Sequence, residues 1–294
     1  MAPAELPAIE ALDERDLPGA FALSRAASWN QNENDWGMML ALGRGWCIRA
    51  PGARRALAAS IVVLPYGDDF AWVSMVLVLP ELRGRGLAAR LLRHALAELA
   101  REGRGGVLDA TPAGHPVYVQ EGFVGSWGFR RYRRETARGG AAAVAPARAP
   151  TPAVRGLLES DWPAIAKFDA PAFGADRSAL LRRLALRLPH AAHVAERDGR
   201  VIGYVLGRDG REATQLGPLV AEDDASACAL LDAAIAPLEG PVYVDAVDAQ
   251  PALLAAIAER GFVVQRPFTR MLYALERTPG DASKVFLVAG PELG

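Results

Sequence analysis

The sequence predicts an α+β protein in which one order of strands and helices is written twice in tandem. Three observations point there. At 294 residues the chain exceeds the size at which a single hydrophobic core usually stops growing. The stretch "ARGGAAAVAPARAPTPA", 137–153, has no large apolar residue except valine and cannot supply a buried face, so it reads as a linker. The two sides also echo each other in detail. Asp109-Ala110 end a strand whose following helix closes at Gly122-Phe123, and Asp245-Ala246 do the same before Gly261-Phe262. The expected division is a first domain at 1–136, the linker at 137–153, a second domain at 154–277 and a tail at 278–294.

Apolar periodicity and breakers set the elements in order. The first half reads as a strand (Ala8 to Leu12), a helix (Leu17 to Ala27), an irregular "SWNQNENDW" and a short helix. Strands at Gly45 to Arg49, Arg55 to Leu64 and Trp72 to Leu79 follow, the last ended by Pro80, which cannot donate to a ladder. Then comes "RGRGLAARLLRHALAEL", in which Leu87, Leu91, Leu92, Ala95 and Leu99 form one apolar helical stripe. A strand "GVLDAT", a short helix ending at Gly122 and a strand "FVGSWGFRRYRR" close the half. The second half runs strand "AVRGLLE", helices Trp162 to Phe173 and Ser178 to Leu188, and a hairpin "HVAERDGRVIGYVLG" turning at Asp198-Gly199. It continues with strand "ATQLGPLVA", helix Ser226 to Leu238, strand "PVYVDAV", helix "PALLAAIAERG" and strand "FVVQRPFTRMLYAL".

Composition narrows the function classes. A hydrophobic fraction of 51% with 23% charged residues is that of an ordinary globular protein, and a formal charge of -1 offers no basic field for nucleic acid. Cys47 and Cys228 lie far apart with no metal-ligand spacing around them, which suits a reducing cytoplasm and predicts no metal. "MAPAELPAIEALDERDLPG" has acids where a signal peptide needs a basic start, and no apolar run approaches membrane-spanning length. A cytoplasmic, unexported protein without membrane partners is expected, as a monomer or homodimer.

The chemistry concentrates in "SMVLVLPELRGRGLAARLL". Gly84, Gly86 and Ala89 match the letters of a dinucleotide-binding G-x-G-x-x-A turn, and Asp109 falls about 20 residues later, where a ribose-binding carboxylate would be expected. Against that reading, such a turn directly follows the first strand of its domain, whereas here four residues, Pro80 to Arg83, intervene and several strands come earlier. A pyrophosphate-holding loop accounts for more of the residues. Gly84, Gly86 and Ala88 let a ligand approach the backbone N–H groups at a helix N-terminus, and Arg83 and Arg85 add charge.

Val78, Pro80, Arg83, Gly84, Gly86 and Ala88, in that spacing, resemble the acetyl-CoA motif V-x-P-x-x-R-G-x-G-x-A of the GNAT N-acetyltransferases. Tyr118, Gly122 and Phe123 resemble the Y-x-x-x-G-F that ends the core of that family. The whole chain resembles bacterial tandem members with an intact first domain and a diverged second. The resemblance implies two three-layer GNAT domains, each a mixed, mostly antiparallel sheet flanked by helices. The second copy departs from the motif: "GPLVAEDDASAC" puts three acids where arginines belong, and acids repel a pyrophosphate. One acetyl-CoA, bound by the first domain, is therefore expected. A mycothiol-synthase-like tandem is a further reading, but that group carries its active motif in the second copy.

The resemblance implies direct attack of an amine on the thioester, with Val76, Leu77 and Val78 lining the pantetheine arm and Arg83, Gly84, Arg85, Gly86, Leu87 and Ala88 holding the pyrophosphate. Tyr118 is the expected acid that protonates the thiolate, or else a tyrosine that packs a short helix. Asp35, Glu33, Asp109 and His115 are open candidates for the base. Trp29, Asn30, Asp35 and Trp36 fall on the acceptor side, with both tryptophans equally readable as core. Asp109, Asp169 and Arg177 are expected to contact the acceptor, with Phe173 and Asp176 beside them; these are also readable as interface or capping residues. Asp245 is a candidate remnant of the duplication. The expected acceptor is a small-molecule amine; a non-catalytic acyl-CoA sensor is the alternative.

Overall fold

The structure, a computed structural model, describes residues 7–50, 56–135 and 152–294, so most of the expected linker lies outside the described residues. Two compact units are present. The first comprises Met1–Leu108, Pro116–Val124 and Leu272–Leu275; the second comprises Asp109–His115, Gly125–Met271 and Glu276–Gly294. The units thus interleave stretches from both sequence copies.

In the first unit, β1 (Ile9–Ala11), β2 (Arg44–Arg49), β3 (Leu57–Tyr66) and β4 (Phe70–Val78) pair antiparallel in that order. β5 (Gly105–Ala110) then runs parallel to β4, and only Phe70–Trp72 of β4 pair with it, opposite Gly105–Val107. From Val73 onward β4 diverges from β5 and a wedge opens between them. Helices α1 (Leu17–Ala26) and α2 (Glu33–Leu42) precede β2, and α3 (Leu87–Arg101) joins β4 to β5. All five stripe residues of α3 are buried, Leu91, Leu92, Ala95 and Leu99 completely, so the predicted face is the one that packs on β3 and β4. α2 begins inside the stretch expected to be irregular. Asn32 accepts from the Asp35 N–H while the Asp35 carboxylate accepts from the Asn32 N–H, and this reciprocal cap starts the helix early. α4 (His115–Gln120) ends at Gly122, whose φ of +93° closes it before Phe123.

The second unit contains β6 (Val124–Arg134) from Gly125 onward, β7 (Ala153–Gly156), α5 (Trp162–Phe173), α6 (Ser178–Arg187), β8 (His193–Arg197), β9 (Arg200–Arg208), β10 (Thr214–Ala221), α7 (Asp224–Ile235), β11 (Val242–Val247), α8 (Pro251–Glu259) and β12 (Val263–Tyr273) through Met271. β7 to β10 pair antiparallel in sequence order, and β6 pairs antiparallel with β11. β10 and β11 repeat the geometry of β4 and β5. They are parallel over only three residue pairs, Thr214–Leu216 with Val242–Val244. α7 starts two residues before the expected Ser226, because the Asp223 carboxylate accepts from the Ser226 N–H and caps it. Leu230, Leu231, Leu253 and Ile257 from α7 and α8 fill the core against β10 and β11.

The segment expected to be a tail is a structural element. β13 (Val285–Leu287) pairs antiparallel with β10 at Leu219 and Val220 and with β11 at Ala246, which places it in the wedge that those two strands open. Val285 to Ala289 are buried, and Arg208, itself buried, donates to the Ala289 carbonyl and pairs with Glu292. An apolar run of three residues has no period of its own to read; its partners are supplied by strands more than 35 residues away.

Candidate active site

The loop after β4 is built to leave main-chain donors free. Pro80–Leu82 form a single 3₁₀ turn that ends the strand, and the exposed run Arg83 to Gly86 leads into α3. Gly84 and Gly86 both have φ near +74°, a region a side chain rarely adopts, and at neither would a Cβ meet any atom within 4 Å. Gly86 caps α3 with no side-chain hydrogen bond, so the first N–H groups of the helix, Leu87 and Ala88 among them, have no intrahelical or side-chain partner among the described residues. Arg83 Nε donates to the Val78 carbonyl at 3.2 Å, and this holds its guanidinium at the mouth of the wedge. This donor set, at the positive end of a helix dipole, fits a diphosphate.

Val76 and Val78 are half-buried and Leu77 is buried, on the part of β4 that no longer pairs with β5. The strand is bulged just before them. Val62 pairs with Ser74 and Ser60 with Leu77, so Met75 and Val76 together face Ile61. Met75 takes φ +50°, which costs a side-chain-bearing residue about 1–2 kcal/mol. Ser60 Oγ donates to the Met75 carbonyl at 2.8 Å and fixes the bulge. No sequence signal marked Ser60, Ser74 or Met75, because a bulge reads as ordinary alternation with one residue too many.

Tyr118, on α4, packs edge-on against Phe123 at 5.9 Å, and desolvation pushes its hydroxyl up to about 12. At neutral pH it is therefore a protonated donor. Phe123 in turn lies 5.4 Å from Tyr273, so the Gly122-Phe123 signature anchors α4 within the unit. His115 opens α4 and is half-buried; Glu33 is exposed on the first turn of α2. Trp36 is fully buried with its Nε1 donating to Ser24 Oγ at 2.9 Å, which makes it core; Trp29 is half-buried and Asn30 buried.

Several carboxylates expected at the acceptor side are employed elsewhere. Asp35 is the buried partner of the α2 cap. The Asp109 side chain is buried in the second unit, where Arg270 Nε and Nη2 donate to its two oxygens at 2.9 and 3.0 Å; desolvation raises its pKa and the Arg270 charge opposes the rise. Asp169 and Arg177 pair with each other through two bonds of 2.9 Å, Arg177 Nη1 donates to the Gly294 carbonyl at 2.7 Å, and Tyr204 donates to Asp169. Asp176 accepts from the Ser178 N–H and hydroxyl just before α6. Phe173 and Arg177 do come together, lining a small hollow with Trp127, Arg270 and Gly294, but each guanidinium there already has an aspartate.

Asp245 completes a pattern. Arg131 Nε and Nη2 donate to it at 2.8 and 2.7 Å, with Gln215 adding a third donor at 3.1 Å and the guanidinium lying between Tyr243 and Phe268. Arg131 stands eight residues after Phe123, and Arg270 eight after Phe262. The Asp-Ala echo is therefore a pair of equivalent ion pairs, in which the aspartate of each sequence copy takes the arginine from the last strand of the other.

Among the described residues no group of three or more His, Cys, Asp or Glu side chains is placed to hold a metal ion, and no helix is long and apolar enough to cross a membrane.

A helix-opening donor loop beside a splayed pair of parallel strands, with the same strand arrangement repeated, defines an acyltransferase of the GNAT class. Comparison with known proteins agrees. GNAT acetyltransferase domain models match residues 48–145 and 165–287, and the chain belongs to that family, with two domains in tandem. It is 28% identical over 239 residues to the holothin acyltransferase of Pseudoalteromonas sp. (strain SANK 73390), covering 80% of this chain and 77% of that protein. Among solved structures, a Pyrococcus horikoshii protein provisionally described as an acetyltransferase superposes with a TM-score of 0.79 at 16% identity, covering 100% of this chain and 98% of that one. A tandem GNAT protein from the clavulanic acid biosynthesis pathway gives 0.63 at 17% identity, covering 90% and 98%.

Proposed function

We propose that this chain is an acetyl-CoA-dependent N-acetyltransferase that delivers the acetyl group to a primary amine of a small-molecule or amino-acid-like acceptor, and that it uses one coenzyme per chain, held by the first unit. The observation that carries the reading is the contrast between two equivalent wedges. Beside the β4–β5 wedge lies the Arg83–Ala88 loop, with the main-chain donors of Gly84 to Ala88 turned to the helix N-terminus, whereas the β10–β11 wedge holds β13 and is followed by the acidic run Glu222, Asp223 and Asp224.

Acetyl-CoA would supply an activated thioester. The N–H groups from Gly84 to Ala88 and the charges of Arg83 and Arg85 hold its diphosphate, and the unpaired edge of Val76 to Val78 lines the pantetheine arm. Tyr118 keeps its proton at neutral pH and hydrogen-bonds the sulfur as thiolate character develops. Trp29 and Asn30, on the α1–α2 connection, are assigned to the acceptor side.

Calorimetric titration with acetyl-CoA tests the assignment. The expected result is one site per chain, weakened at least about tenfold in Arg83→Glu by turning an attraction into a repulsion. Equal affinity of both proteins would refute the loop. Thiol release against a panel of primary amines then tests catalysis; binding without any turnover would leave only a sensor.

A further inference from the structure

We infer that the Ser74 hydroxyl is the side-chain hydrogen-bond donor to the carbonyl oxygen of the acyl group being transferred, an inference that rests on the coenzyme-binding role proposed for the first unit. Ser74 is 6% exposed, and its Oγ has no hydrogen-bond partner among the described residues. Buried hydroxyls are ordinarily paired, so one left open beside a strand edge that β5 does not pair points to a partner that arrives from outside.

Its position specifies that partner. Along β4, away from the diphosphate loop at Arg83, the chain passes Val78, Leu77 and Val76 and reaches the bulge at Met75, then Ser74. An arm laid along that edge from the loop inward brings its far, reacting end to the bulge. The pairing with β5 starts again only at Trp72, so Ser74 lies inside the wedge near its narrow end, where the thioester has to stop. The companion serine is unavailable for this role, since Ser60 Oγ is spent on the Met75 carbonyl. The cross-strand and same-face neighbours of Ser74, Val62, Trp72 and Leu77, are apolar and buried, so water competes little for a bond made there.

As the amine nitrogen bonds to the carbonyl carbon, the C=O electron pair moves onto oxygen, and Ser74 holds that oxygen without surrendering its proton. When the C–S bond breaks, the pair on sulfur takes a proton and the nitrogen releases one to solvent, so the balance closes without another reactant. Ser74 is smaller than any residue that could compete for the site and still donate, which leaves space for a short acyl chain.

The test reads the carbonyl itself. Acetyl-CoA labelled with ¹³C at the thioester carbonyl is bound to wild-type, Ser74→Ala, Ser74→Thr and Ser74→Cys proteins, and the carbonyl band is followed by difference infrared spectroscopy, with CoA affinity measured alongside. The expected result is a downshift on binding that is largely lost in Ser74→Ala, small in Ser74→Cys and kept in Ser74→Thr, while affinity for CoA, which has no carbonyl there, changes less than about twofold. In turnover the Ala variant should lose roughly 10²-fold in kcat, as removal of one such donor does. An unchanged downshift in Ser74→Ala, or in Ser74→Cys should the Ala protein fail to fold, overturns the inference. Failure of wild-type protein to bind acetyl-CoA at all would instead overturn the functional reading beneath it.

Discussion

At the scale of single residues, the most informative side chains are the two aspartates that end corresponding strands of the two sequence copies. Asp109 and Asp245 were legible as an echo, but their partners were not, because Arg270 and Arg131 lie 161 and 114 positions away. No local spacing encodes such a pair. Removing one partner strands a buried charge, which costs about 3–5 kcal/mol, more than the net worth of the pair itself. Arg131→Met should therefore lower stability by that amount in urea denaturation, and Arg131→Met with Asp245→Leu should recover most of it; equal stability of the single variant and wild type would contradict the burial. Tyr118, proposed above as the acid, makes a second case. Its folded pKa is raised above the ordinary 10, so the neutral phenol is the form present below pH 10 and is lost only as pH climbs through about 12. Tyr118→Phe should cut kcat about 10²-fold while acetyl-CoA affinity stays within about twofold, and no alkaline limb below pH 10 should be assignable to this group.

At the scale of elements, most helices and strands were legible because each carries its own period or its own breaker. α5 starts and ends where "WPAIAKFDAPAF" does, and the α3 stripe is buried as spaced. Departures occur where a contact distant in sequence, or a cap, overrides the pattern. The Asn32–Asp35 box extends α2 into a run of polar residues, and β13 exists because β10 and β11 separate and leave its three apolar residues a place to pair. β13 also makes a sharp prediction. A Cβ on Gly217, whose φ is +139°, would lie 2.1 Å from the Val288 carbonyl oxygen. Gly217→Ala has to push the β13 segment out of its wedge or strain β10, and should cost upward of about 3 kcal/mol in chemical denaturation. Gly84→Ala, at a position with equally restricted φ but open space, should cost about 1–2 kcal/mol and fall mainly on coenzyme binding. The two glycines share a conformational demand and differ in what surrounds them, so the pair separates structural from ligand-facing roles.

At the scale of the whole molecule, the duplication is plain in the sequence, but the sequence does not behave as two beads on a linker. The second unit takes Gly125 to Arg134 of β6 from the first copy and pairs it with β11 along six residues, Phe129 to Arg134. The first unit takes Leu272–Leu275 from the second copy, where Leu275 packs on Gly105 so closely that a Cβ there would fall 2.4 Å from its Cγ. A fragment ending at 136 therefore loses the chain that covers β5, and Asp109 loses Arg270. A fragment beginning at 154 leaves β11 with an unpaired edge, and Asp245 loses Arg131. Open ladder edges and uncompensated buried carboxylates each favour aggregation or unfolding over a native fold. Expressed separately, the two fragments should be insoluble or lack a cooperative melting transition, whereas co-expression should restore a soluble complex that melts as one species and binds acetyl-CoA. If the fragment ending at 136 alone were monomeric, cooperatively folded and bound the coenzyme with the affinity of the full chain, the exchanged segments would be dispensable, and each sequence copy would be a self-sufficient folding unit after all.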